Sequence, residues 1–275
     1  MKVLSFNPCI EADQNLFPPR KKFSLKNVLA IRSADAVILP QGCSKDLYLL
    51  ARLNCSNVFP NYDAYFRFPG KIGQALLFRQ IKVPHPNTRI FIDLESLKKM
   101  YVQGCPFDYP CVFKCSWGGE GRYVFLLNGD RDLERCVDMA QEWKNAGQEG
   151  YLIQEYVPTG GRSLRVVVIG NMLFSYWRVQ KDPRAFYTNL AKGAYVEHDT
   201  YPHLQQAARR ALRNFCKITG INLAGFDFLF SMDEKSPTAL FLEINYFFRY
   251  RGLGGRDKFF KLLESGVREW ISTKR

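Results

Sequence analysis

Short apolar runs, broken by turn residues and by longer amphipathic stretches, fill the 275-residue chain. Up to Asn61, Val3-Leu4-Ser5-Phe6, Ala36-Val37-Ile38-Leu39 and Asn57-Val58-Phe59 read as short strands, the last two stopped by Pro40 and Pro60. Ser44 suits the cap of a helix over 45–53, because its hydroxyl can accept from an unpaired backbone N–H of the first turn. Arg20 to Phe23 reads as a basic loop following Pro19. The alternation of strand and helix predicts a small parallel α/β unit. Tyr62 to Gly70, rich in aromatics and turn residues, reads as a linker, and 71–80 and 94–103 read as helices. Val83-Pro84-His85-Pro86-Asn87-Thr88 cannot be helical, because proline lacks a donor and restrains the residue before it.

Further on, the pattern changes to hairpins. Cys111-Val112-Phe113-Lys114 and Tyr123-Val124-Phe125-Leu126-Leu127 flank Ser116-Trp117-Gly118-Gly119-Glu120-Gly121-Arg122, a glycine-rich tip. A strand over 151–157 stops at Pro158, and 164–169 with 172–179 form a hairpin about Gly170-Asn171. Amphipathic helices are predicted over 130–146, 201–219 and 258–270. Two late apolar strands carry acids. Leu240-Phe241-Leu242-Glu243-Ile244-Asn245 places Glu243 and Asn245 on one face, since strand residues i and i+2 point the same way. Ala224-Gly225-Phe226-Asp227-Phe228-Leu229-Phe230 carries one acid, and the turn Asp233-Glu234-Lys235-Ser236-Pro237 joins the two. A carboxylate in an apolar strand needs a partner. Asp227, Glu243 and Asn245 could be the few oxygen ligands of a Mg²⁺ site, or the acids could form buried salt bridges.

Composition narrows the classes. With 47% hydrophobic and 15% aromatic residues, disorder is excluded. No apolar run reaches the roughly 18 residues of a membrane span, and the N-terminus lacks a secretory pattern, so a cytoplasmic protein is expected. The eight cysteines form no C-x-x-C pair and no disulfide framework, and the three histidines are isolated, so zinc is not expected. A net charge of +13 favours anionic partners; because it is spread along the chain, it suits a generally positive surface better than a nucleic-acid face. Lys114, inside an apolar strand before the glycine loop, suits a phosphate contact, although a lysine there could also snorkel to the surface. Nothing in the sequence sets the oligomeric state.

In order, Lys114, the Gly119-Glu120-Gly121 loop, Ile153-Gln154-Glu155-Tyr156-Val157, Thr188-Asn189-Leu190-Ala191-Lys192-Gly193, Ala224-Gly225-Phe226-Asp227 and Leu242-Glu243-Ile244-Asn245 resemble the ATP-grasp superfamily, and within it the RimK-like carboxylate–amine ligases. The resemblance covers about Lys71 onward. It implies an α/β (α+β ATP-grasp) fold: a shortened α/β domain over 1–65, then an ATP-grasp domain over 66–275. In that domain, subdomains 66–156, with the lid loop, and 157–275, with the metal site, would clamp the nucleotide between antiparallel sheets. It implies that Lys71 and Lys114 hold ATP phosphates beneath a lid of Gly118, Gly119, Glu120 and Gly121. Gln154, Glu155, Tyr156, Val157 and Leu242 would line the adenine slot. Asp227, Glu243 and Asn245 would bind two Mg²⁺ ions, with Mn²⁺ possible in their place, while Arg165, Asn189 and Lys192 would lie near the reacting carboxylate. The implied reaction is amide formation through an acylphosphate, from a carboxylate substrate and an amine acceptor. The alternatives are a kinase or phosphotransferase of the same fold, or a non-catalytic nucleotide- or nucleic-acid-binding module.

Two segments depart from the pattern. Ser163 stands where relatives carry an acid for the ribose; a hydroxyl bonds it more weakly. After Asn245 comes Tyr246-Phe247-Phe248-Arg249-Tyr250-Arg251-Gly252-Leu253-Gly254-Gly255. Arg249 and Arg251 could face an anionic substrate there, or the segment could be a surface turn with Phe247 or Phe248 in the core.

Overall fold

The computed structural model describes residues 1–17, 23–119, 121–231 and 237–274. The expected basic run Arg20-Lys21-Lys22, the lid residue Glu120 and the turn residues Asp233, Glu234, Lys235 and Ser236 lie outside the described residues. β1 (Val3–Ser5), β2 (Gln14–Asn15), α1 (Leu25–Arg32), β3 (Ala36–Ile38), α2 (Lys45–Asn54) and β4 (Val58–Phe59) open the chain. Their strands form a parallel sheet in the order β2-β1-β3-β4. Ser44 caps α2 as expected, accepting from Leu47 N at 3.3 Å. α1 starts with Ser24 and Asn27 satisfying each other's backbone N–H groups. The expected linker contains one short helix, α3 (Asp63–Arg67), and is followed by α4 (Gly70–Ile81).

The second sheet comprises β5 (Thr88–Phe91), β6 (Cys111–Cys115), β7 (Val124–Leu127) and β8 (Tyr151–Glu155), with α5 (Leu94–Gln103) after β5 and α6 (Asp130–Asn145) after β7. It is antiparallel, in the order β5-β8-β6-β7. Leu94, Leu97, Leu133, Phe113, Tyr151 and Ile153 belong to a core of its own. β5 was not expected: its four residues become a strand by pairing with β8.

The third sheet runs β11-β10-β9-β12-β13 and is antiparallel. It is built from β9 (Arg162–Ile169), β10 (Met172–Val179), β11 (Tyr195–Glu197), β12 (Leu223–Leu229) and β13 (Leu240–Asn245), with α7 (Pro202–Thr219) before β12 and α8 (Arg256–Ser272) at the end. Alternation divides its strands between two cores. Leu164, Val166, Phe226 and Phe228 join Leu4, Tyr48 and Phe215, so the opening unit shares a core with this sheet. Val167, Ile169 and Tyr176 face the other way, with Phe259, Leu263 and Trp270 of α8. α8 packs closely on the β9–β10 turn: a Cβ at Gly170, whose φ is +61°, would come within 2.8 Å of the Gly266 carbonyl oxygen. Between β12 and β13 the register shifts at Asp227/Phe228, placing Asp227 opposite Glu243 and Gly225 opposite Asn245.

Candidate functional site

A cleft of about 1160 Å³, counted out to its mouth, lies between the second and third sheets. Val112 and Leu152 form one apolar wall, and Leu229 and Leu242 the other. Gln154, Glu155, Tyr156 and Val157 run along its end. Lys114, Arg178, Asp227 and Glu243 gather at the polar end, beneath Gly119 and Gly121. The cleft thus joins a flat apolar slot to a charged pocket, a shape suited to a ligand with an aromatic ring and anionic groups.

Asp227, only 4% exposed, is the centre of the polar end. It accepts from Arg165 Nε and, at 2.9 Å, from Arg165 Nη2, from Arg178 Nη2 at 3.0 Å and from Asn245 Nδ2 at 3.2 Å. Those four donors occupy the roughly four acceptor positions of a carboxylate. Burial by itself would raise the Asp227 pKa; the two guanidiniums outweigh it and hold the carboxyl below its usual range. Burial pushes Arg178 below its ordinary value, whereas Arg165 is raised because Asp227 outweighs the same desolvation. Burial likewise brings the Lys114 ammonium down to about 8, against the pull of Glu243. Its Nζ donates to Gln154 Oε1 at 2.5 Å, and Gln154 Nε2 donates to Thr88 Oγ1 at 2.8 Å. Gln74 of α4 fixes β13 beside Glu243, accepting from Ile244 N and donating to Ile244 O, each at 2.8 Å.

The other expected residues divide. Lys71 lines the cleft, but its Nζ donates to the carbonyls of Trp117 at 3.1 Å and Gly118 at 2.8 Å, so it ties down the stem of the glycine loop. A Cβ at Gly121, whose φ is +70°, would come within 3.3 Å of Asn189 Nδ2, and Tyr187 Oη donates to Val124 O at 2.6 Å. The loop and its hairpin therefore bear on the 187–189 segment of the third-sheet side. Lys192 is exposed outside the cleft, its Nζ 3.2 Å from the centroid of the Tyr187 ring. Glu155 is exposed and accepts from Asn87 Nδ2 at 2.8 Å.

Three of the expected residues, Ser163, Arg249 and Arg251, are placed away from the cleft wall, as are Arg165 and Asn245, which reach its polar end only through Asp227. Ser163 is fully buried and is not among the residues lining the cleft. It accepts from Arg178 Nε at 3.1 Å and Nη2 at 2.8 Å and shares a hydrogen bond with Thr188 Oγ1 at 2.7 Å, so its hydroxyl is occupied before any ribose arrives. Arg249 and Arg251 are exposed and do not line the cleft. In their segment Phe248 packs against Phe259, ring centroids 5.6 Å apart, while Phe247 is 56% exposed. Arg178 was missed, yet it showed the same cue as Lys114, a cation within an apolar strand.

The oxygen donors suit Mg²⁺, which takes few protein ligands and completes its shell with water and phosphate oxygens. Glu243 accepts no hydrogen bond among the described residues, and Asn245 engages Asp227 only through Nδ2, leaving Oδ1 available. Asp227 fits as a ligand if one of its donors gives way. Among the described residues, no group of three or more His, Cys, Asp or Glu side chains gathers to hold a metal by itself.

This fold and cleft define an ATP-grasp protein. PsnB, a solved ATP-grasp ligase in complex with the precursor peptide PsnA2 and AMPPNP, superposes with a TM-score of 0.62 at 13% identity, over 99% of this chain and 96% of that one. A RimK domain ATP-grasp protein from Sphaerobacter thermophilus gives 0.60 at 14% identity, over 97% and 99%. The model of the RimK-like ATP-grasp domain matches residues 71–253, and the chain belongs to that family. Among curated relatives, beta-citrylglutamate synthase B of Danio rerio is 31% identical over 149 residues, 54% of this chain and 35% of the synthase. A probable alpha-L-glutamate ligase of Stutzerimonas stutzeri is 28% identical over 221 residues, 77% of this chain and 68% of the ligase. The chain spans less than half the length of several of these relatives, 35% and 39% for two of the synthases.

Proposed function

We propose that the chain is an ATP- and Mg²⁺-dependent ligase that joins a carboxylate to an amine. The observation that carries this reading is the convergence of Lys114, Arg178, Asp227 and Glu243 at one end of an apolar slot, under a glycine loop. Backbone groups of Tyr156 and Val157 would read the adenine edge, between Leu152 and Leu242. Lys114 and Arg178 would meet the phosphates, with Lys71 holding the loop that covers them. Asp227, Glu243 and Asn245 would hold two Mg²⁺ ions, or Mn²⁺ in their place; when bound, these supply positive charge that neutralises the triphosphate. An oxygen of the substrate carboxylate attacks the γ-phosphorus, the bond to ADP breaks, and an acylphosphate forms. The amine attacks the acyl carbon, inorganic phosphate leaves, and the amide nitrogen loses a proton. Two anions must meet, so electrostatic cancellation by Lys114, Arg165 and Arg178 is the main contribution of these side chains. Asn189, against Gly121, would help close the loop and keep water from the acylphosphate. All eight cysteines are free, as suits a reducing cytoplasm; no described helix is long and apolar enough to cross a membrane.

The test is ADP formation from ATP across a panel of carboxylates and amines, with product masses. Turnover that needs both substrates and yields an amide supports the ligase. A stable phosphorylated product without an amide would make it a kinase. The four donors on Asp227 favour one other reading, a nucleotide-binding module without turnover, which predicts nucleotide binding and no ADP under any combination.

A further inference from the structure

A second cavity opens along the outer edge of β10, between α7 and α8. Counted to its mouth it encloses about 1550 Å³, and it shares no lining residue with the cleft. It exists because β11 pairs only with Trp177, Arg178 and Val179, which leaves the edge from Met172 to Tyr176 without a strand.

Two polar groups in its lining have no hydrogen-bond partner. Arg209, on α7, has a buried Nε with no hydrogen bond, and it forms no ion pair among the described residues. Tyr176 is 2% exposed, and its hydroxyl has no hydrogen-bond partner among the described residues. The far end of its ring rests on Gly252, where a Cβ would come within 2.1 Å of Tyr176 Cζ. A buried donor without a partner, such as Arg209 Nε, is costly, and water, an ion or a ligand entering the cavity would satisfy it. The neighbouring Gln205 is already satisfied: it accepts from Ser175 Oγ at 2.6 Å and donates to His198 O at 2.5 Å and Thr200 O at 3.1 Å. Arg209 can only donate, and the Tyr176 hydroxyl is free to donate. Lys258 adds a second cation at the rim, its Cδ lying 2.8 Å from a Cβ position at Gly254, and Asp199 is the one acid in the lining. Such a set asks for an anionic acceptor, and a planar guanidinium with a phenol favours the two oxygens of a carboxylate.

We propose that this cavity binds the carboxylate of a small organic acid, with Arg209 and Tyr176 donating to its oxygens. The site is separate from the proposed ligase chemistry and does not depend on it. It lies close to the cleft all the same, since Tyr176 is the cross-strand neighbour of Arg165.

The experiment is calorimetric titration of the full chain with glutarate, repeated with the uncharged diamide glutaramide and again with AMP-PNP at saturation. Saturable one-to-one binding of glutarate is expected, absent with glutaramide and unchanged by AMP-PNP. Arg209→Gln should weaken it at least about tenfold, and Tyr176→Phe about threefold, the scale of a charged and a neutral hydrogen bond. Unchanged melting curves would show that both variants are folded; if Arg209→Gln does not fold, Arg209→Lys keeps the charge and should still weaken binding by loss of the guanidinium fork. The proposal is overturned if glutarate shows no saturation up to about 10 mM, if glutaramide binds equally well, if AMP-PNP displaces glutarate, or if the folded Arg209 variant binds like the parent.

Discussion

Asp227→Asn separates two tasks that the Asp227 carboxylate could have. If it served only as a metal ligand, its removal in metal-free protein would cost little. In this structure it holds together two buried guanidiniums, so an asparagine leaves Arg165 and Arg178 side by side with no anion between them. Breaking a buried pair by removing one partner costs about 3–5 kcal/mol. For a chain of this size that lowers the melting temperature by about 6–15 °C, at about 2–3 °C per kcal/mol. Adding Arg178→Gln to the variant removes one of the stranded cations and should recover part of the loss, about 1–3 kcal/mol of coupling. The sign of the pH dependence follows from the depressed carboxyl. Its stabilisation is complete above the unfolded value of about 3.9 and is lost as pH falls through the lower folded value, so Asp227→Asn should lack that acid limb. Urea unfolding in EDTA, followed by tryptophan fluorescence, measures all three effects; Trp177, next to Arg178, is a buried reporter. A midpoint for Asp227→Asn within about 0.5 kcal/mol of the parent, the range of an ordinary surface change, would refute the anchoring role.

Glu243→Ala should leave stability within about 0.5 kcal/mol, because Glu243 accepts no hydrogen bond among the described residues, while lowering ADP formation by at least about a hundredfold; a variant that retains full turnover would show that the metal assignment is wrong. Binding of ADP in EDTA should weaken from pH 7 to 9 with an inflection near the Lys114 value of about 8, since the ammonium is present below it and lost above; the inflection should vanish in Lys114→Met, and its persistence there would assign it to another group. Lys71→Met releases the carbonyls of Trp117 and Gly118, so limited proteolysis should cut the glycine loop about tenfold faster, the equivalent of one partly exposed charged hydrogen bond; an unchanged cleavage rate would mean that the loop is held by other contacts.

How much of this was legible depends on whether the cue was local. The hairpin about Gly170-Asn171 was legible because both strands alternate and the turn residues lie between them, and the register pairs Ile169 with Met172 as the turn demands. β5 and β11 were not, because strands of four and three residues take their identity from β8 and β10 rather than from their own sequence. α1 was missed because Leu25 and Leu29 face solvent, which leaves little apolar periodicity to read. The polar end shows the same divide. Alternation predicts Glu243 and Asn245 on one face of β13, whereas the register shift beside Asp227 is a property of two strands in contact and leaves no mark on either.

Ser163 shows how far such a contact reaches. The direction of its side chain is set by pairing with Arg178 across β9 and β10, which no local cue announces. A serine there can accept from a guanidinium and cannot neutralise it, because a hydroxyl carries no charge. The buried charge of Arg178 must therefore be met elsewhere, and the nearest anion within reach is Asp227, already paired with Arg165. With a hydroxyl at 163, one carboxylate balances two arginines, and a metal that called on Asp227 would compete with both. An acid at 163 would take up Arg178 and leave Asp227 freer to ligate, so the polarity of a single buried position in β9 would set how readily the proposed metal site fills.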